Sequence, residues 1–288
     1  MVAIARLCSS ILRRTTHQFQ IRKHSLLCGD IDRFNGVTID LKTQLPTTTS
    51  TADFHKILKE SLHVWKSEGR NAIWLHLPID YGRYIDIAAE EGFQFHNAEN
   101  NECLLKLWLD DREDPTPRFA THQLGVCGVV LREDTQELLV IQEKKSQFTT
   151  WKFPGGLADL GEDIGNAAIR ETLEETGVQT EFASVIAFRQ QHNHPSAFGR
   201  SDLYVVCRLR PLTFDIKPCE HEILQCCWMH VDELREHLQI TSLTHRISNI
   251  ILYGLKHGFD SIDFTSEDML SPYKGQHFTA FHRNLPQL

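Results

Sequence analysis

The sequence predicts an α+β protein of two domains, a smaller α/β module followed by a larger unit built on a mixed sheet. Both halves mix apolar residues at three- and four-residue spacings with short continuous or alternating apolar runs, so each holds helices and strands. A charged stretch with two prolines, Asp110–Arg118 (DDREDPTPR), divides them. The 288 residues, 41% hydrophobic and 24% charged, suffice for two domains of about 100–150 residues each. The boundaries expected are a leader over 1–29, a first domain over 30–110, a linker over 111–118 and a second domain over 119–288 with a C-terminal helix and tail.

Asp30–Thr51 holds a strand and then a loop with a Thr-Thr-Thr-Ser run. Asp53–Glu68 sets Phe54, Ile57, Leu58, Leu62 and Trp65 on one helical face, and Gly69 closes that helix. Ala72–Leu77 reads as a buried strand and Pro78 punctuates. A second helix over Tyr84–Glu91 ends at Gly92, and Phe93–His96 and Cys103–Leu109 read as strands around Glu99–Glu102. Trp65, Trp74 and Trp108 stand at apolar spacings and are expected in the core. Beyond the linker, Val126–Leu131 and Glu137–Glu143 read as a hairpin around Glu133–Gln136, and Phe153–Gly156 follows a Trp. A helix over Asp163–Thr176, strands over Ser184–Gln190 and Asp202–Leu209, a Cys226-Cys227-Trp228 strand, and helices over Val231–His237 and His245–His257 complete the set.

Charge is uneven. The whole chain carries −8, from 30 basic and 38 acidic residues, which argues against a nucleic-acid protein held by bulk electrostatics. Residues 1–29 contain Arg6, Arg13, Arg14, Arg22 and Lys23 and no acid, so the remaining 25 basic and 38 acidic residues carry −13. A basic, acid-free leader bearing Ser, Thr and apolar residues at helical spacing has the composition of a mitochondrial transit peptide. A mitochondrial location is expected, with cytoplasm or nucleus if the leader is absent. Eight cysteines form no C-x-x-C pair, which speaks against zinc and against a disulfide framework and fits a reducing compartment. No apolar run approaches the ~20 residues of a membrane span.

The chemistry concentrates in Gly155–Val178, GGLADLGEDIGNAAIRETLEETGV. Glu171, Glu174 and Glu175 fall at i, i+3 and i+4, so a helix there puts three carboxylates on one face, while Ile164, Ala168, Thr172 and Leu173 are available to pack on a sheet. Gly177 sits where a left-handed residue ends the helix. Like charges at this spacing repel. Arg170 offsets part of this through Glu174, and the natural partner for the rest is a hard divalent cation with oxygen ligands. The Gly155-Gly156 bend lets a backbone carbonyl approach such a cation, and the cation in turn would let a net-negative protein hold an anionic phosphate.

The segment resembles the Nudix box, in which a glycine is followed after five residues by Glu, after seven more by Arg-Glu-U-x-Glu-Glu-x-Gly-U, with U aliphatic. All seven fixed residues match: Gly156, Glu162, Arg170, Glu171, Glu174, Glu175 and Gly177. Chance would give this about once in ~10⁹ start points. Thr172 departs from the first aliphatic position. The segments WKFPGGL, RQQH, FGRSDLYVVCRL and WLHLP extend the likeness to two-domain animal members, from about Gly29 to Leu285.

This resemblance implies a Nudix α/β/α sandwich with a mixed sheet, preceded by an acetyltransferase-like α/β domain. It also implies hydrolysis of a nucleoside diphosphate linked to another moiety, with Mg²⁺ or Mn²⁺ as cofactor. Carried over, Glu171, Glu174 and Glu175 with the Gly156 carbonyl hold metal, Arg170 orients Glu171, and Glu162 and Gly177 support the box. Glu174, Glu175, Arg170 and Glu222 form the catalytic set, with Glu220 equally near for the role given to Glu222. Arg189, Gln191, Phe198 and Arg200 are candidates for substrate binding, as strand-end and loop groups suited to a base, ribose or phosphate.

ADP-ribose or NADH-like dinucleotides are the expected substrates, by likeness to related two-domain members, which brings NAD binding with it. A weakly active binding or regulatory protein in cell growth is one alternative, and messenger-RNA decapping, which would want a basic track outside the leader, is another. The partner expected is a nucleotide-type small molecule. No stable nucleic-acid partner or membrane is expected, and a homodimer is allowed. The first domain presents no nucleophile or acid/base set and lacks the Gly-rich loop an active acetyltransferase uses for its cofactor pyrophosphate.

Overall fold

The computed structural model describes residues 26–144 and 149–284. All but the last few residues of the expected leader lie outside them. The chain divides into two compact units that meet between Phe119 and Ala120.

In the first unit, β1 (Asp30–Ile31) and β2 (Val37–Asp40) lead into a single turn, α1 (Leu41–Gln44), and then α2 (Thr51–Ser67). The Ser50 hydroxyl accepts the Asp53 N–H and caps α2. Strand β3 (Ala72–Pro78) is followed by a tight 3-10 turn over Ile79–Tyr84, then α3 (Ile85–Glu90), β4 (Gln94–Glu99) and β5 (Glu102–Trp108). The helix expected over Tyr84–Glu91 is therefore shorter, with its approach wound more tightly. The sheet order is β1-β2-β3-β5-β4, with β2 and β3 parallel. Ile73, Leu75 and Leu77 on one face of β3 bury against Phe54, Leu58 and Leu62 of α2.

The alternate residues of β3 face the other way. Trp65 is buried as expected, but Trp74 and Trp108 are only half-buried and line an open cavity. Apolar spacing along a strand reports the pleat; it does not say that the second face is covered. The linker also differs from a loose tether, because the Trp108 indole Nε1–H donates to the Arg112 carbonyl at 2.8 Å and Lys106 pairs with Asp114.

In the second unit, β6 (His122–Arg132), β7 (Glu137–Glu143), α4 (Ile164–Thr176), β8 (Thr180–Gln191), β9 (Ser201–Pro211) and β10 (Ile223–His230) precede α5 (Val231–Glu236) and α6 (Ser242–His257). The mixed sheet runs β10-β7-β6-β9-β8, parallel only between β6 and β9. Strand β6 is buried on both faces, which is why it reads as a continuous apolar run. Cys127, Val129 and Leu131 pack toward α5 and α6, and Val126 and Val130 toward α4. This is an α/β/α sandwich.

Helix α4 starts at Asp163 and ends on Gly177, whose φ of +73° and N–H bond to the Leu173 carbonyl close it as expected. Its sheet-facing residues are Ala167, Ala168, Thr172 and Thr176. Leu173, expected on this face, is 44% exposed. Thr172 fits the apolar position because its hydroxyl donates to the Ala168 carbonyl at 2.7 Å. Gly128 of β6 makes room for it, since a Cβ there would lie 2.4 Å from Thr172 Oγ1 and 2.5 Å from Leu209 Cδ1. Gly128→Ala is expected to cost about 1–3 kcal/mol by overpacking. Chemical denaturation measures this, and an unchanged midpoint would mean that α4 can withdraw from the sheet freely.

Ahead of the glycines, Trp151 and Lys152 make isolated bridges to Ile240 and Ile141, and Pro154 has no N–H to continue a ladder. The tail after α6 folds as a hairpin, β11 (Thr265–Leu270) with β12 (His277–His282). Its residues are mostly exposed, so no alternating apolar pattern marked it.

Candidate active site

The site grows from the junction of the 151–157 segment with α4. Gly155 passes so close to β6 that a Cβ would meet the Val126 carbonyl oxygen at 2.2 Å, and a Cβ on Gly156 would lie 2.6 Å from the Glu171 carboxylate. The two glycines thus let the main chain lie directly against the carboxylates of α4. Glu175 Oε2 accepts the Gly155 N–H at 2.7 Å, and Glu175 is 5% exposed. Burial lifts its carboxyl to about 7, against a smaller opposing pull from Lys152 and the Gly155 N–H. Burial raises Glu171 as well, although Arg170 opposes this.

Arg170 is the hub of the helix face. Its Nε and Nη2 bind both oxygens of Glu162 at 2.8 Å, its Nη1 reaches Glu171 at 2.9 Å and Glu174 at 3.3 Å, and Nη2 also donates to the Leu157 carbonyl at 3.0 Å. Glu162 accepts the Asp159 N–H as well, and these bonds hold its carboxyl down at about 2. Arg170 and Glu162 therefore tie the 157–162 loop to α4, and Arg170 Nη1 holds the Glu171 carboxylate.

Beside this face lies a cleft of about 710 Å³, within the ordinary range for small-molecule sites. Glu143 at the end of β7 binds Lys152 Nζ at 2.5 Å. On the far wall Arg189 of β8 pairs with Asp202 of β9 and lies 4.9 Å over the Tyr204 ring. Its Nε is buried and bonded to no acceptor among the described residues. Phe153, Leu243 and Ile247 supply apolar lining. Cys127 on the floor is no nucleophile, since burial pushes its thiol up to about 12.

Of the sequence candidates, Arg189 and Gly156 line this cleft, while Gln191, Phe198 and Arg200 do not, and Arg170, Glu171, Glu174 and Glu175 stand outside its lining, behind Gly155 and Gly156. Phe198 is 86% exposed in the loop before β9, and Arg200 turns its N–H to the Ala197 carbonyl. Glu220 and Glu222 also fall outside the lining: both are exposed in the turn before β10, where the Glu222 carbonyl accepts the Lys144 N–H. Glu143 is the carboxylate that the cleft edge presents instead. It went unnoticed with Lys152, Asp202 and Tyr204, although Lys152 adjoins the box and Asp202 and Tyr204 alternate along one strand.

Among the described residues, no three carboxylate, imidazole or thiol side chains stand together as a ready metal site. Arg170 holds Glu171 and Glu174, and the Gly156 carbonyl accepts the Val126 N–H at 2.8 Å. The donor chemistry nonetheless fits a hard cation, because the carboxylates and the Gly156 carbonyl are oxygen ligands and burial raises the two innermost carboxyls, a cost that a bound cation would offset.

Residues 27–109 match the family described as "Nudix hydrolase domain" and residues 121–249 that described as "NUDIX domain". The chain is 43% identical over 262 residues to human "Nucleoside diphosphate-linked moiety X motif 6", covering 91% of this chain and 83% of that one. The chain belongs to the Nudix hydrolase family. Another relative of the same name, from Xenopus laevis, is 49% identical over 205 residues, covering 71% of this chain and 94% of its own. "Nudix hydrolase 2" of Arabidopsis thaliana is 38% identical over 212 residues, 73% of this chain and 74% of its own. A solved Nudix hydrolase from Nitrosomonas europaea is 18% identical, with TM-score 0.42, over 58% of this chain and 88% of its own. This Nudix hydrolase is accordingly a diphosphatase of a family that acts on nucleoside diphosphate-linked moieties.

Proposed function

We propose that this Nudix hydrolase splits the diphosphate of ADP-ribose or of NADH-like dinucleotides, and that it needs Mg²⁺ or Mn²⁺ to do so. The observation that carries this is the buried Glu175, bonded to the Gly155 N–H, with Glu171 against Gly156, directly behind the two glycines that line a cleft of nucleotide size. The two cations of the cleft wall, Lys152 and Arg189, each already face a carboxylate, so a diphosphate entering there gains little from them unaided. Glu171, Glu174, Glu175 and the second lone pair of the Gly156 carbonyl would hold a divalent cation, which would supply Lewis-acid neutralisation of the phosphate oxygens.

The chain's own residues do the rest. Arg170 aims Glu171 and fixes the loop; Arg189, buttressed by Asp202 and Tyr204, directs its guanidinium toward phosphate. Phe153, Leu243 and Ile247 exclude water from the apolar side. Water adds across one P–O–P bond, a proton passes to the cleft carboxylates, and two phosphate monoesters leave.

A panel of ADP-ribose, NADH, dinucleoside polyphosphates, capped RNA and nucleoside triphosphates, each with Mg²⁺ or Mn²⁺ and with chelator, tests the reading. Expected products are AMP with ribose 5-phosphate, or AMP with the reduced nicotinamide mononucleotide, only when metal is present. Faster turnover of capped RNA, or silence on the first two substrates with both metals, would overturn it.

A further inference from the structure

The first unit holds a cavity of about 950 Å³ that the hydrolase reading leaves without a role. It lies on the face of the β3–β5 pair opposite α2. Trp74 and Trp108 are diagonal neighbours there, because Trp74 stands opposite Lys106 and Trp108 opposite Ala72. Ala72, buried between them, shares the cavity wall. His96 meets the Trp74 ring edge-on at 5.1 Å, and its Nε2 lies 3.2 Å from the Pro117 carbonyl, so the linker closes one wall. Two half-exposed indoles on a sheet face are costly to leave wet and are common in sites for flat rings.

A polar pair sits at the inner end. The turn between β1 and β2 brings Asp32 and Gly36 over Trp74. Asp32 Oδ1 accepts the N–H groups of Phe34 and Gly36, which fixes the carboxylate. A Cβ on Gly36 would lie 2.7 Å from Asp32 Oδ2 and 3.2 Å from Trp74 Nε1. Glycine thus keeps open one small space onto which an acceptor and a donor both converge. The Trp74 indole N–H bonds to no acceptor among the described residues. Aromatic walls with a carboxylate also suit onium cations, but such a cation would leave the indole N–H unmatched and would meet Arg33 and Arg112 at the rim.

We propose that this cavity binds a planar nitrogen heterocycle whose edge pairs a hydrogen-bond donor with a neighbouring acceptor, as the amino group and ring nitrogen of adenine do. The ring meets the Trp74 N–H edge-on with its face toward Trp108, its amino group donates to Asp32, and its ring nitrogen accepts from Trp74. This site is separate from the hydrolytic cleft and does not depend on turnover.

The test uses the full chain labelled with 5-fluorotryptophan, its fluorine resonances assigned through Trp74→Phe and Trp108→Phe. Adenosine is expected to move the Trp74 and Trp108 resonances saturably and leave Trp65 in place. Purine riboside, which lacks the amino group and has no donor on that edge, should bind at least ~10-fold more weakly, as a buried polar partner left unpaired requires. Asp32→Asn and Gly36→Ala should weaken adenosine by a similar factor with the other resonances unmoved, which shows that they are folded. Absence of a saturable shift, equal binding of purine riboside, or undiminished binding by Asp32→Asn would each overturn the proposal. So would a response to tetramethylammonium in place of adenosine. Loss of hydrolysis in the panel above would leave these shifts unchanged, so the two readings fail separately.

Discussion

Replacing Glu175 with Gln is expected to lower kcat for ADP-ribose by about 10³-fold and, in the metal-free protein, to raise stability at alkaline pH. On the proposed function, the first effect would follow from losing the innermost anionic ligand of a cation that would supply several kcal/mol of charge stabilisation. The second comes from burial. In the unfolded chain this carboxyl ionises near 4.5, in the fold near 7. Below 4.5 both states hold the proton and nothing is lost. Between 4.5 and about 7 the unfolded state ionises first, so stability falls as pH rises, by roughly 3 kcal/mol in all.

Gln has no charge to bury and can still accept the Gly155 N–H. With chelator at pH 8, Glu175→Gln should therefore melt several degrees above the wild type, and the gap should close toward pH 4.5. Mg²⁺ should raise the Tm of the wild type much more than that of the variant. A variant that melts below the wild type at every pH, or retains activity within tenfold, would refute this account of Glu175.

The second large effect is that of Arg170→Ala. Five hydrogen bonds from one guanidinium join Glu162, Glu171, Glu174 and the Leu157 carbonyl. Without it Glu162 loses the partner that holds it at about 2, the 157–162 loop loses its tie to α4, and Glu171 is no longer aimed. We expect kcat to fall about 10²-fold, with a loss of roughly 1–3 kcal/mol in stability. Because the Glu162 carboxyl is lowered in the fold, its contribution is present above the ordinary 4.5 and lost as pH falls toward about 2. The Tm difference between wild type and variant should accordingly shrink on acidification through that window. Arg170→Lys should recover little, since a point charge cannot grip three carboxylates and a carbonyl at once. Full activity in Arg170→Lys would show that charge alone suffices and that the fork is dispensable.

Much of α4 was legible because its constraints are local. A glycine that must lie against a carboxylate, an arginine one turn from its acids and a glycine at a left-handed helix end all recur at offsets measured along the chain. Leu173 was misjudged because helix periodicity alone does not say how wide the covered stripe is. The tail hairpin escaped because its strands bury little. Trp74 and Trp108 were taken for core because a strand residue of apolar type looks the same whether its face is covered or open.

By itself, the sequence determined the Nudix box, its three carboxylates on one helix face, the arginine beside them and the division at the linker. Only the tertiary structure decided which carboxylate is buried, and that Glu143 with Lys152 and Arg189 with Asp202 and Tyr204 form the walls around it. Those groups come from strands and loops far apart in the chain, brought together by sheet pairing such as that of β6 with β9. Desolvation acts on the assembled cleft, so neither the raised Glu175 nor the open space at Gly36 has a spacing that a sequence can display.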